Sequence, residues 1–166
     1  NNLAVLYKAM GFYSKAEQIH LKVLQLRRKL LGNQHPDVGS SLNNLAGLYS
    51  NTNEYSKAEP LYKEALIIYE AALGLNHPNY MSALDNLAGM YTLMEDYNQA
   101  EKLLKRALAL REKNLGAEHI NYALSLNNLG QFYYNKGVYG KAESYYLEAL
   151  KIRKKVLGTY ATEVVV

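Results

Sequence analysis

With 166 residues, no cysteine and a formal net charge of +4, the chain is long enough for one globular domain or one short solenoid, and it excludes disulfides, thiolate metal sites and a cysteine nucleophile. No apolar run approaches the roughly 20 residues of a membrane-spanning helix, and no basic, then apolar leader opens the sequence, so a cytoplasmic protein without a membrane partner is expected. Lys plus Arg outnumber Asp plus Glu by 6 to 1 over residues 1–36, fall behind by 2 to 5 over 37–78 and 5 to 6 over 79–120, and lead by 6 to 3 over 121–166; basic ends around an acidic middle make a poor track for a nucleic-acid backbone, and no nucleic acid is expected as partner.

The chain opens on Asn1-Asn2-Leu3-Ala4-Val5-Leu6-Tyr7. The same block returns as Leu42-Asn43-Asn44-Leu45-Ala46-Gly47-Leu48-Tyr49, as Leu84-Asp85-Asn86-Leu87-Ala88-Gly89-Met90-Tyr91 and as Leu126-Asn127-Asn128-Leu129-Gly130-Gln131-Phe132-Tyr133, with 42 residues between copies. A second block keeps the same spacing: Lys15-Ala16-Glu17, Lys57-Ala58-Glu59, Gln99-Ala100-Glu101 and Lys141-Ala142-Glu143. A fixed period of this length marks a repeat array, whose units bury their apolar faces on their neighbours. Four repeats follow, over residues 1–36 (entered inside its first helix), 37–78, 79–120 and 121–158. Residues 159–166 read as a tail or the start of a further repeat. Neither end carries a polar cap, so the chain reads as a piece of a longer array, and end-to-end self-association is a possible use of its apolar ends.

Within a repeat the apolar spacing is helical. Val38, Leu42, Leu45, Ala46 and Tyr49 define the stripe of a helix A; Ala58, Leu61, Tyr62, Ala65, Tyr69, Ala72 and Leu73 define that of a longer helix B. Ser14 to Glu17 and Ser56 to Glu59 have the form of a capping box opening helix B, with weaker versions at Asn98 to Glu101 and Gly140 to Glu143. Gly32, Gly74, Gly116 and Gly158 suit the left-handed position that ends it. Pro36 and Pro78 fit the first turn of the next helix A, a place taken by Ile120 in the last repeat. His35, His77 and His119 recur in that turn, one per repeat. Held on separate layers, they cannot converge on one metal ion, and they are expected to make hydrogen bonds there. His20 replaces the tyrosine of Tyr62 and Tyr146 and is expected to pack in the core.

The pattern Leu45, Ala46, Tyr49, Ala58, Tyr62, Ala65 resembles the tetratricopeptide repeat. The 42-residue period, Leu-Asn-Asn-Leu-Ala-x-Leu-Tyr, Lys57 to Leu66, Ala109 to Gly116 and the Leu-Gly-x-x-His-Pro turns are similar to the kinesin light chain type of that repeat. The resemblance covers the chain through residue 158. It implies an all-α, right-handed superhelical solenoid of antiparallel helix hairpins, with the row of helices A lining a concave groove for an extended segment of a partner protein. In kinesin light chains that segment carries an aromatic residue among acidic ones.

Helix A leaves a small or polar face outside its apolar stripe, at Asn43, Gly47 and Ser50 in the second repeat. Asn1, Val5 and Lys8, then Asp85, Gly89 and Thr92, then Asn127, Gln131 and Tyr134 occupy the same places in the others. Beside them Asn2, Asn44, Asn86 and Asn128 each offer one carbonyl acceptor and two amide donors. Such a ladder either hydrogen-bonds a peptide main chain or ties neighbouring helices together; the resemblance implies the former. Arg27, Arg111 and Arg153 interrupt the helix B stripe where the second repeat has Tyr69. A guanidinium cannot stay buried alone, so each head is expected at the groove edge, arming it for acidic ligands, or against a carboxylate; the bland reading is a cation favoured by the helix dipole. Asp85 and Tyr69 oppose a uniformly basic groove. Of the tyrosines, Tyr134 stands outside the structural positions and is a ligand-contact candidate.

No phosphate loop, nucleophile elbow or paired zinc-binding histidines appear, so neither catalysis nor a cofactor is expected. The expected function is a protein-interaction scaffold holding an extended segment, acidic residues favoured. The alternative is a spacer or self-associating array with no groove ligand.

Overall fold

The computed structural model describes residues 2–158; the side chains of Asn2 and Leu157 and the tail 159–166 lie outside the described residues. Among the described residues there are eight helices and no strand: α1 (Asn2–Ala9), α2 (Tyr13–Leu31), α3 (Pro36–Asn51), α4 (Tyr55–Leu73), α5 (Pro78–Leu93), α6 (Tyr97–Leu115), α7 (Ile120–Asn135) and α8 (Tyr139–Leu157). The all-α hairpin architecture expected from the period is therefore present, and no helix among the described residues is long and apolar enough to cross a membrane. The chain forms two compact units, Asn1–Met90 and Tyr91–Val166, with the border inside α5.

In the first unit α1 packs on α2, α2 on α3 and α3 on α4. The α3 stripe is buried as its spacing predicts, at Val38, Leu42, Leu45, Ala46 and Tyr49, and meets Ala58, Tyr62, Ala65 and Tyr69 of α4. Ala72 departs from the predicted stripe and is exposed. In the second unit α7 packs on α6 and α8, and Tyr122, Ala123, Leu126, Ala149 and Ile152 form a core against which Leu108 and Tyr145 lie. Alanines make this close packing possible: Ala46, Ala58 and Ala65 are fully buried.

Helix punctuation differs in part from the sequence reading. The longer helices begin at Tyr13, Tyr55, Tyr97 and Tyr139, so Ser14 and Ser56 lie inside the first turn and cap nothing. The N-caps are Phe12, Glu54, Asp96 and Val138, and only the Asp96 side chain accepts a backbone N–H, from Gln99. The start is set instead by the tight turn before it. Gly11, Asn53, Glu95 and Gly137, one per hairpin, all have φ between +60° and +78°. Glycine takes that conformation freely and asparagine tolerates it, but for glutamate it is strained by roughly 1 kcal/mol. Glu95→Gly is accordingly expected to stabilise the chain by about 1 kcal/mol, read as a higher urea midpoint at unchanged slope; no gain would mean that the Glu95 side chain makes compensating contacts.

The helix ends follow the sequence more closely. Gly74 ends α4 at φ 81° with ψ 166°, a positive-φ region that glycine alone enters cheaply, although its ψ is extended and not that of a left-handed helix. His35, His77 and His119 prove to be the N-caps of the following helices: their Nδ1 atoms accept the backbone N–H of Asp37, Asn79 and Asn121 at 3.1, 3.1 and 3.0 Å.

Glu17 and Glu101, expected to close capping boxes, reach the next hairpin instead. The Tyr49 hydroxyl donates to Glu17 Oε1 at 2.6 Å and the Tyr133 hydroxyl to Glu101 Oε1 at 2.9 Å. Each tyrosine ring also carries a lysine ammonium, Lys57 at 5.1 Å and Lys141 at 4.9 Å from the ring centroid. Burial first, then the carboxylate, pushes both phenols up to about 12, so they stay donors at any physiological pH. Glu101 also pairs along its own helix with Lys105, as Glu59 does with Lys63, both at 2.6 Å.

Candidate binding face and cavities

The short helices present the face on which the sequence placed its candidates. In the first unit Asn43 and Asn44 of α3 and Asp85 of α5 are half-buried, and Asn86 is exposed. Asn86 Nδ2 donates to Asn43 Oδ1 at 3.2 Å, so consecutive short helices are joined amide to amide at the surface. Gly89, one turn on from Asp85, has nothing within 4 Å of where a Cβ would stand; backbone can approach there. Gly47 is less open, since its Cβ position is 3.4 Å from the Tyr62 hydroxyl, and Ser50, expected on the ligand face, is buried at 5 % exposure. Asn2 belongs to α1, with its side chain outside the described residues.

In the second unit Asn127 and Asn128 are half-buried on α7. Tyr134 is 55 % exposed and meets Tyr139 edge to face, with ring centroids 5.6 Å apart. These two rings, with Ala142, Tyr146 and Leu150, line an open cavity of about 450 Å³.

Two of the helix B arginines bond groups on the following short helix. Arg27 Nη1 donates to the Asp37 carbonyl and to Ser41 Oγ, both at 2.8 Å. Arg111 is 3 % exposed and its Nη1 donates to Ser125 Oγ. Both heads thus bond the start of the next short helix, a role for which Ser41 and Ser125 gave no signal beyond their 14-residue separation from each arginine. Arg153 is half-buried on α8. Tyr69, at the same position of α4, is accommodated differently: its hydroxyl donates to Ser40 at 3.0 Å and its ring fills the space beside Gly39, where a Cβ would be 2.9 Å away.

A second cavity, of about 290 Å³, opens in the first unit between α1, α2 and α3, lined by Val5, Lys8, Ala9, Tyr13, His20, Asn44 and Asn51. His20 packs in the core as expected, at 3 % exposure, yet its Nδ1 has no hydrogen-bond partner. Burial above all, then nearby positive charge including that of Lys8, lowers its pKa, so the imidazole is held neutral.

Antiparallel hairpins, a short helix presenting an amide-rich face and a long helix supporting it, define the helical-repeat class of interaction scaffolds. The tetratricopeptide repeat family profile matches residues 1–71, 55–113 and 79–155, and the chain belongs to that family. Among solved structures it is similar to BtubC (BKLC) of P. vanneervenii, at 27 % identity and a TM-score of 0.79 over 94 % of this chain. It is similar also to a kinesin light chain candidate of Podosopora anserina built of nearly identical TPR-like repeats, at 25 % identity, a TM-score of 0.76, 92 % of this chain and 72 % of that one. A single-substitution variant of the latter aligns at 25 % identity and a TM-score of 0.79, over 93 % of this chain and 73 % of that one. The chain spans 62 % of the BtubC chain. No curated protein matches it in sequence. Its repeats are thus similar to those of kinesin light chain-like proteins.

Proposed function

We propose that the scaffold holds an extended segment of a partner protein along the short helices, with the segment's main chain on the asparagines. The observation that carries this reading is the Asn43–Asn86 pair: two carboxamides from consecutive helices meet at the surface at 3.2 Å, Asn44 stands beside them, and Gly89 leaves the backbone open. Each carboxamide has more donors and acceptors than this one bond uses, so tying the helices together and receiving a peptide are compatible. Tyr134 offers an exposed ring in the second unit. Arg27 and Arg111 bond serines of the following short helix through Nη1, and the preference for acidic segments is read from the acidic-aromatic arm of the peptide library.

A fluorescent library of short peptides, acidic-aromatic against charge-scrambled, tests the reading on the wild type and on Asn44→Ala/Asn86→Ala, both in the first unit. The expected result is saturable binding that the double variant weakens at least about fivefold, the loss of two hydrogen bonds of roughly 0.5–1.5 kcal/mol each. Failure of a folded wild type to bind any peptide, or equal binding by the variant, would favour a spacer or self-associating array.

A further inference from the structure

The long helices of the four hairpins carry Glu17, Glu59, Glu101 and Glu143 at one position. Three of these carboxylates are answered within the chain. Glu17 accepts the Tyr49 hydroxyl at 2.6 Å, Glu59 pairs with Lys63 at 2.6 Å, and Glu101 holds both the Tyr133 hydroxyl at 2.9 Å and Lys105 at 2.6 Å. Among the described residues no hydrogen bond or ion pair reaches Glu143. The residue one turn on, lysine at 63 and 105, is Leu147 here, and Glu143 lines the open cavity of about 450 Å³ at the end of α7 and the start of α8.

The third hairpin shows what such a carboxylate takes. Lys136 Nζ lies 3.8 Å from Glu101 Oε2 and 5.6 Å from the centre of the Tyr97 ring, so a carboxylate and an aromatic ring hold its ammonium together. Tyr139 and Glu143 are the same pair 42 residues on, and both are exposed. The fourth hairpin adds two further rings. Tyr134 meets Tyr139 with the ring planes 63° apart. Tyr146 is fixed by its hydroxyl, which donates to Gln131 at 3.2 Å, and by Gly130, where a Cβ would come within 2.7 Å of the ring. Leu147 and Leu150 add apolar wall, and Glu143 is the only formal charge in the lining. Tyrosine faces and a carboxylate attract a cation and repel an acidic side chain.

We propose that this cavity seats the ammonium of one lysine of the partner's segment, its four-carbon stem on Leu147 and Leu150 and its head between the tyrosine rings and Glu143. The proposal rests on the groove reading, because Tyr134 belongs to the short-helix face that the segment follows. It gives the second unit a selectivity of its own. The asparagines hold a main chain whatever its side chains, whereas the seat reads charge. Acetylation of that lysine, which removes the charge, therefore weakens binding.

The tightest peptide of the library, remade with lysine or acetyl-lysine at each position in turn, tests this on the wild type, Glu143→Gln and Tyr139→Leu, two substitutions at exposed positions. At one position lysine is expected to bind at least about fivefold tighter than acetyl-lysine. Both variants should lose that preference without changing the affinity of the acetylated peptide. Equal binding of the two peptides at every position, or a preference that survives Glu143→Gln and Tyr139→Leu alike, overturns the seat while leaving the groove standing. So does a mass that rises with concentration in the wild type and not in Glu143→Gln, since a second copy would then fill the seat. If no peptide binds, the groove reading fails, and n-butylammonium chloride, the lysine side chain alone, decides the seat against sodium chloride at equal concentration. Saturable NMR shifts of the Tyr139 ring that Glu143→Gln abolishes support it, and unmoved resonances overturn it.

Discussion

Arg111→Ala is expected to lower the stability of the chain by about 3 kcal/mol and to leave peptide affinity unchanged wherever the variant is still folded. The side chain lies between α6 and α7 at 3 % exposure and bonds Ser125, which is itself 1 % exposed. Truncation removes the packing of the aliphatic stem, opens a cavity and strands a buried hydroxyl; the last alone costs about 1–3 kcal/mol. For a chain of this size the change corresponds to roughly 6–12 °C in melting temperature, readable by calorimetry. A variant that kept its melting temperature but lost acidic peptides would return Arg111 to the groove. Arg27, half-buried and bonded to Asp37 and Ser41, should show the same kind of effect at smaller size.

Phe132→Ala is expected to cost still more, about 4 kcal/mol. This ring is 2 % exposed and packs edge to face on Tyr97 and Tyr133, with centroids 6.0 and 5.0 Å away. It therefore joins α6 to α7 through both dispersion and aromatic geometry. The other hairpins carry Leu6, Leu48 and Met90 at its position, so Phe132→Leu, which keeps the site filled, should cost less than about 1.5 kcal/mol. Urea denaturation of the two variants checks the contrast. Equal losses would mean that the aromatic contacts, and not the volume, hold the two helices together.

Much of this fold is legible in the amino-acid sequence. The period located every helix pair, because each copy must bury the same face to stack, and the α3 stripe from Val38 to Tyr49 is buried as its spacing predicts. The capping-box signal puts the N-caps of the first two long helices two residues late, at Ser14 and Ser56 where Phe12 and Glu54 hold that place. A serine followed three residues later by glutamate has the form of a capping box, but the turn before it, with its positive φ at Gly11 and Asn53, settles the boundary, and nothing in local spacing ranks the two signals. Arg27 and Arg111 stood out in sequence as cations on an apolar stripe, yet their destination was not legible: Ser41 and Ser125 lie on the following helix, and only packing shows which helix a long side chain crosses to. His20 was legible as a replacement of tyrosine. That Lys8, Asn44 and Asn51 converge from two other helices around a cavity it helps to line is encoded by no periodicity.

The central claim is that the amide-rich face of the short helices receives the partner's main chain. Side-chain amide NMR resonances, recorded with the tightest peptide of the library, test it most directly. Shifts are expected at Asn43, Asn44, Asn127 and Asn128 and none at Asn33 and Asn98, which lie in the turn after α2 and the first turn of α6. Saturable binding that leaves those four unmoved and shifts Asn33 and Asn98 would place the partner on another surface and contradict it.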